Sequence, residues 1–385
     1  MRDPWFWSEN TLSSQFVRGL LGPVSFVYQT GSKLKSAYIK PDNFDDCAVF
    51  CIGNATVGGV GKTPFAIMLK NIFDQHAVPA AFLSRGYGGR EIGPLRVDIE
   101  KHTARDVGDE ALILARHAPV WIAKDRAQGL REARKAGYFC LIADDGFQNP
   151  ALQKDLSILM VGSRTIKANQ VRFDDIPDTN SENSDQGKDD DNKTGSKQKI
   201  YTNRNLFPVG PFREPMQKAL ERADLVCFVR QQSKHTKLAP KIEKQLNGKP
   251  YSIVWVEAPP EQTIPSGPVF AFCGIGNPER FRKTLVEAGV DVGRFVAYPD
   301  HHVFTDAELN VMRFEARQFS QQLITTQKDF ARLDPDQQEQ VDEFKIVMRT
   351  DAQSLIWQKV EEVLIKKNIL PLENKNIIQK QGVSG

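Results

Sequence analysis

Long hydrophobic runs are missing from this chain of 385 residues. No segment reaches the ~20 apolar residues needed to span a bilayer. Met1 to Asn10 lacks the basic start and apolar core of a cleavable signal. Cysteine is sparse as well. Cys47, Cys51, Cys140, Cys227 and Cys273 are scattered, mostly inside apolar runs, with no metal-ligand spacing. An odd number used in this way excludes a disulfide framework and reads as reduced core cysteine in a cytoplasmic protein. An excess of one charge is also lacking. Fifty-one Lys and Arg against 48 Asp and Glu leave +3, too little to argue for a nucleic-acid partner. What remains is ordinary soluble composition, long enough for two domains, and either soluble or peripheral to a membrane.

One stretch organises the rest. Val49-Phe50-Cys51-Ile52 runs into Gly53-Asn54-Ala55-Thr56-Val57-Gly58-Gly59-Val60-Gly61-Lys62-Thr63, and Phe65, Ile67, Met68 and Leu69 follow at helical spacing. A buried strand, a glycine-rich turn and a helix N-terminus together make a phosphate-binding loop, because backbone N–H groups and the helix dipole both favour an anion. Lys62 is expected to reach the β/γ-phosphates and Thr63 to hold Mg²⁺. Thr56 stands where the usual loop has its first glycine, and Gly58 and Gly59 are extra. The expected ligand is a nucleoside triphosphate.

Around this loop the pattern alternates strand and helix from Asp46 onward, which implies a parallel sheet with helices on both faces. Polar loops fall at the carboxyl ends of the strands, where ligands collect in such sheets. Ser84-Arg85-Gly86-Tyr87-Gly88-Gly89-Arg90 is flexible and cationic. Val107-Gly108-Asp109-Glu110 opens a helix with Asp109 placed like an N-cap. Lys124-Asp125-Arg126 starts another. Tyr138 to Ala143 ends on Asp144-Asp145-Gly146-Phe147-Gln148, an apolar strand tipped by two carboxylates able to serve Mg²⁺ beside Thr63. His102 and His117 are incidental.

The first forty residues read differently. Phe16, Leu20, Val24, Val27 and Tyr28 recur near helical spacing behind Trp5, Phe6 and Trp7, with Leu21 and Phe26 widening the face. Lys33, Lys35 and Lys40 make the exit basic, and Pro23 is expected to kink or split the helix. Such a stripe suits either an anionic membrane surface or the protein's own core, and composition does not choose. Asp174 to Lys199 is rich in Asp, Asn, Ser and Lys and is expected to be disordered. Further strands are expected at Leu225–Val229, Ser252–Val256, Val269–Cys273, Phe295–Tyr298, Gln322–Thr325 and Phe344–Val347. Gly274-Ile275-Gly276-Asn277-Pro278 lacks the last glycine of a dinucleotide turn. Pro299-Asp300-His301-His302 carries two of only six histidines to a strand end. Thr326-Gln327-Lys328-Asp329 closes another strand and offers a further cation.

Taken in order, the phosphate loop, Ser84-Arg85-Gly86-Tyr87-Gly88, Gly108-Asp109-Glu110, Asp144-Asp145-Gly146-Phe147-Gln148, Gly210-Pro211-Phe212-Arg213-Glu214-Pro215, Gly274 to Pro278 and Pro299-Asp300-His301-His302 resemble the tetraacyldisaccharide 4′-kinases of lipid A synthesis. The resemblance spans nearly the whole chain. It implies an α/β fold of two α/β/α sandwich domains joined by a hinge, with the P-loop NTPase-like domain first. It implies transfer of the ATP γ-phosphate to the 4′-hydroxyl of a tetraacylated glucosamine disaccharide 1-phosphate, giving lipid IVA, at the cytoplasmic face of the inner membrane.

By the same resemblance, Thr56 to Thr63 hold ATP, and Asp109 is the catalytic base with His301 as its partner. Thr63, Asp144, Asp145 and Glu110 stand near Mg²⁺. Lys62 and Arg126 act on the transferring phosphate, and Arg213, Tyr87 and Gln148 serve the substrate. A four-chain acceptor stays in the bilayer, since each buried CH₂ holds it by ~0.8 kcal/mol, and this favours the membrane role for residues 11–40.

The expected division is 1–40 amphipathic helix, 41–165 kinase domain, 166–204 insertion, 205–370 second domain and 371–385 tail. This chain departs from the family pattern at Asn149 (usually His), at Gln327 (usually Glu) and in the insertion. The competing reading is a nucleotide-driven switch of the partitioning type, whose loop carries a signature lysine where this chain has Val57.

Overall fold

Two sheets divide the strands of the computed structural model, which describes residues 4–8, 11–38, 42–162, 206–230, 238 and 240–370. The expected insertion and tail, and Lys40, lie outside the described residues. In chain order the strands are β1 Ala48–Gly53, β2 Ala81–Ser84, β3 Leu95–Arg96, β4 Val120–Ile122, β5 Cys140–Asp144, β6 Leu156–Gly162, β7 Leu225–Arg230 and β8 Tyr251–Glu257. After them come β9 Val269–Cys273, β10 Val292–Ala297, β11 Gln322–Thr326, β12 Asp342–Phe344 and β13 Val347–Thr350. The large sheet has the order β13-β8-β7-β6-β1-β5-β2-β4-β3, and the small one β10-β9-β11-β12. The small sheet is parallel throughout. The large one is parallel inside, with antiparallel edge strands β3 and β13. The fold is α/β with one mixed sheet.

Strand β1 lies at the centre and is buried on both faces, as a continuous apolar run in a covered parallel sheet should be. Alternate side chains serve opposite layers. Ala48, Phe50 and Ile52 pack with Phe65, Leu69 and Phe73 of helix Lys62–Gln75 and with Ile356, Val360 and Leu364 of helix Gln353–Lys366. Cys47 and Val49 face Leu130 and Ala133 of helix Arg126–Lys135. All five cysteines are free and buried, and burial pushes their thiols up. They are packing residues.

Several expectations need correction. A second domain beginning at residue 205 does not match the pairing, because β7, β8 and β13 extend the large sheet. An apolar strand looks the same whichever sheet it joins, so the run at Leu225 could not reveal its neighbour. The expected strand Phe344–Val347 is broken where the chain passes from one sheet to the other. There the Lys345 N–H donates to Gln262 Oε1 and the Ile346 N–H to Gln327 Oε1, each at 3.0 Å. Gln327 therefore does by its carbonyl oxygen what a glutamate carboxylate would also do. Helix Leu12–Tyr38 runs unbroken past Pro23, since proline removes one N–H and the turns on either side remain.

That helix turns polar residues inward. Ser14 and Ser25 are buried and Ser25 Oγ donates to Leu206 O at 3.2 Å, while Trp7 of the preceding short helix Trp5–Ser8 donates from Nε1 to Pro208 O at 2.9 Å. Leu12, Phe16, Leu20, Val24 and Val27 are exposed. Among the described residues no helix is long and apolar enough to cross a membrane.

Phe50 is fully buried and meets Phe73 edge-on with ring centroids 5.0 Å apart. Phe50→Ala should cost about 3–5 kcal/mol. The check is the denaturant midpoint, which should fall well below that of a surface control such as Phe139→Ala.

Candidate active site

The phosphate loop is built as its glycines require. Gly58 and Gly61 have φ of 102° and 91°, which only glycine adopts freely, and Gly61 caps the helix that begins at Lys62. Asn54 ties the loop to itself through Nδ2, which donates to Thr56 O at 2.7 Å. Lys62 Nζ donates to Asn54 Oδ1 at 3.2 Å and lies 3.3 Å from Asp145 Oδ1. Thr63 is buried beneath the loop.

A second segment braces this turn. The Val57 N–H donates to Pro211 O, and the Arg213 N–H to Ala55 O. Gln148 Nε2 donates both to Asn54 O (2.7 Å) and to Glu214 Oε1 (3.0 Å). Gln148, expected at the substrate, is thus placed as a strut between the loop and Glu214. Arg222 also pairs with Glu214 and lies over the Phe147 ring.

The two aspartates that end β5 have different surroundings. Asp145, at φ 52°, is held by Arg213 Nη1 at 2.9 and 3.1 Å and by Lys62. Burial works to raise its carboxyl, but Lys62 and Arg213 outweigh it and hold it below the usual range. Asp144 is buried with neither carboxylate oxygen hydrogen-bonded among the described residues. Burial, and then the Glu110 charge, push it up to about 7. Arg126, expected at the transferring phosphate, lies buried behind this strand and donates from Nη2 to Asp144 O at 2.9 Å.

Across the gap, groups from the small sheet meet the helix that follows β3 of the large one. Gly108, with φ 87° and ψ 148°, is the N-cap of helix Asp109–Ala115, so Asp109 is the first helical residue rather than the cap. Its Oδ1 accepts the Glu110 N–H at 2.9 Å. Its Oδ2 accepts from Arg332 Nε at 3.0 Å and also from Arg332 Nη2, and lies 3.7 Å from His301 Nδ1. Burial works to raise the Asp109 carboxyl, but Lys328 and Arg332 outweigh it and hold it below the usual range. Glu110 pairs with Lys328 Nζ. Burial would lower that ammonium, but Glu110 and Asp109 reverse the shift and raise it.

The two histidines separate cleanly. His301, at φ 61°, turns its ring toward Asp109 and meets Tyr87 edge-on at 5.9 Å. His302 bonds Glu308 at 3.0 Å and stacks on Tyr298. Arg332 was not anticipated. It stands one helical turn beyond Lys328, and that i, i+4 spacing of cations was the one available signal.

The arrangement juxtaposes a phosphate loop, an unpartnered buried carboxylate and a carboxylate–imidazole pair from opposite sheets. A model of the tetraacyldisaccharide-1-P 4′-kinases, LpxK, matches residues 17–172 and 196–368. The chain belongs to the tetraacyldisaccharide 4′-kinase family. It is 37% identical over 336 residues to the Tetraacyldisaccharide 4′-kinase of Parvibaculum lavamentivorans, covering 86% of this chain and 87% of the relative. It is 33% identical over 361 residues to that of Caulobacter sp. strain K31, covering 93% and 97%. The crystal structure of LpxK from Aquifex aeolicus, solved in complex with ATP, superposes with a TM-score of 0.65. That likeness covers 90% of this chain and 99% of the other at 24% identity, and supports the fold. Within the family pattern, Asn149 here accepts the Ala151 N–H at 3.0 Å and caps a turn.

A Cβ on Gly108 would come 2.4 Å from Tyr87 O, whereas one on Gly137, at the similar φ of 89°, would meet nothing within 4 Å. Backbone strain of about 1–3 kcal/mol applies to both. Gly108→Ala should therefore lower the thermal midpoint clearly more than Gly137→Ala. Equal shifts would mean that the close approach of the Tyr87 and Asp109 segments carries no cost.

Proposed function

We propose that the chain is a lipid A 4′-kinase, which moves the γ-phosphate of ATP to the 4′-hydroxyl of tetraacyldisaccharide 1-phosphate. The carrying observation is the pairing of Asp109 with His301 across the two sheets, in a chain that also carries the phosphate loop. In this reading the 4′-oxygen forms a bond to the γ-phosphorus while the bond from that phosphorus to the β–γ bridging oxygen breaks, and ADP leaves. The hydroxyl proton passes to Asp109. The carboxylate is ionised and ready to accept it, with the imidazole of His301 alongside.

Phosphoryl transfer asks mainly for positioning and charge neutralisation. Lys62 is the loop's cation for the phosphates, and Arg213 and Arg126 are cations at the end of β5. Mg²⁺, when bound, would neutralise phosphate charge. Asp144 fits that ion better than Asp145, because its two buried oxygens lack partners while Asp145 is already held by Lys62 and Arg213. Among the described residues no cluster of three or more His, Cys, Asp or Glu could hold a metal alone. A site of one or two carboxylates completed by substrate phosphates is the usual arrangement for Mg²⁺. Glu110, bound to Lys328, stands near Asp144 as a charged neighbour.

The N-terminal helix is proposed to rest on the cytoplasmic face of the inner membrane. Its Ser25 hydroxyl is spent on the protein, and its apolar stripe faces outward, with Leu12 85% and Phe16 70% exposed. An acceptor with four acyl chains would be met there, at the bilayer surface.

With ATP, Mg²⁺ and detergent-dispersed disaccharide 1-phosphate, the protein should yield a bisphosphorylated lipid. ATP turnover that never phosphorylates this acceptor would sink the reading and promote the nucleotide switch. Asp109→Ala and His301→Ala should each lower turnover by about 10²–10⁴-fold, the usual worth of a general base, with ATP affinity little changed. Replacing Leu12, Phe16 and Leu20 together by serine should release the protein from anionic liposomes in a flotation assay. Undiminished flotation would return that face to some other partner.

A further inference from the structure

The Arg332 side chain is 7% exposed, and its guanidinium is used on every side. Nη1 donates to Asp329 Oδ1 at 2.7 Å and to Gly274 O at 2.9 Å. Both of these acceptors belong to the small-sheet side. Asp329 is itself fully buried and fixed by the Gly274 N–H at 3.0 Å and by Thr326 Oγ1 at 2.7 Å. Nε and Nη2 reach across to Asp109 Oδ2, and Nη2 also lies 3.1 Å from His301 Nδ1. One planar fork is thus anchored at its back and touches both members of the pair at its front.

We propose that Arg332 is a positioning residue, which sets Asp109 and His301 in register by bridging them from the anchored Asp329–Gly274 corner. The inference rests on the kinase reading and adds a residue to it. Arginine suits the task because its donors are fixed in one plane and it is always charged. An N–H of Nη2 aimed at His301 Nδ1 also selects a tautomer. Nδ1 must be the bare nitrogen, and the proton sits on Nε2, on the side of Asp300 Oδ1 at 3.9 Å. The titratable and charged neighbours of Asp109 are Arg332 and Lys328 from the segment after β11, His301 from the loop after β10, and Glu110 on its own helix. Of these, Arg332 alone contacts both Asp109 and His301.

The test compares Arg332→Gln with Arg332→Lys in the full-length protein. Arg332→Gln should lower kcat by about 10²-fold, the cost of misplacing reacting groups by ~1 Å, with KM for ATP within about twofold of wild type. Arg332→Lys, which keeps the charge but loses the fork, should recover part of that loss. In ¹⁵N-histidine spectra, with His301→Asn used for assignment, wild type should show His301 unprotonated at Nδ1, and Arg332→Gln should shift it toward the Nδ1–H form facing Asp109.

Wild-type kcat in Arg332→Gln would overturn the proposal. So would an unchanged His301 signature, or a loss of kcat that merely follows a lowered melting temperature and is the same in both variants. If the wild-type protein transfers no phosphate to the acceptor, the kinase reading fails by itself. The histidine spectra still decide whether Arg332 sets the imidazole.

Discussion

Two carboxylates at the start of one helix are gripped by two cations from the other sheet, and the geometry of the site depends on that grip. Asp109 takes Arg332 and Glu110 takes Lys328. Arg116 adds a third bridge from the end of the same helix to Glu343 at 2.8 Å. Buried ion pairs of this kind contribute little net stability, because desolvation offsets most of their attraction, but breaking one leaves an uncompensated charge. Their effect is to fix register. With both pairs made, the loop after β10 is held where the His301 ring faces Asp109.

The phosphate loop is stiffened by a different device. Val60 anchors it in the core, and hydrogen bonds from a neighbouring segment fix the rest. The segment around Pro211 to Glu214 receives Val57, donates to Ala55 and is joined to Asn54 through Gln148. This segment also brings Arg213 to Asp145. Asp145 is then occupied by two cations, and Asp144 is the carboxylate left available. The difference between two adjacent aspartates follows from where β5 ends. Asp144 is its last, buried residue, and Asp145, just past it at positive φ, turns outward.

Much of this was legible in the sequence because it is local. The strand-loop-helix around Lys62 announces itself by an apolar run, glycines and a helical stripe within a few residues. Strand β9 was bounded correctly for the same reason. The rest depends on pairings that no local pattern encodes. Nothing in Leu225–Arg230 says that it lies beside β6 rather than in a new sheet. His301 and His302 are neighbours of one residue type, and only the positive φ of the first separates the ring that faces Asp109 from the ring that stacks on Tyr298. Arg332 meets Asp109 across 223 positions of sequence. A cation on a short helix is otherwise read as a solvated face.

The N-terminal helix shows how far pattern reading can go and where it stops. An apolar stripe at helical spacing fits a core and a bilayer equally, so the stripe alone has no sign. The sign comes from the opposite face. A helix that belonged to the protein's core would bury Leu12, Phe16 and Leu20 and leave its serines to water. Here Ser14 and Ser25 are buried and the large apolar side chains are not. Leaving a fully exposed leucine or phenylalanine in water forgoes about 1.5–3 kcal/mol each. A polar contact such as that of Ser25 is worth about 1 kcal/mol. Polar groups turned inward and apolar ones outward fit the proposed role of the helix at the bilayer surface, and this ties its attachment to the lipid nature of the proposed acceptor.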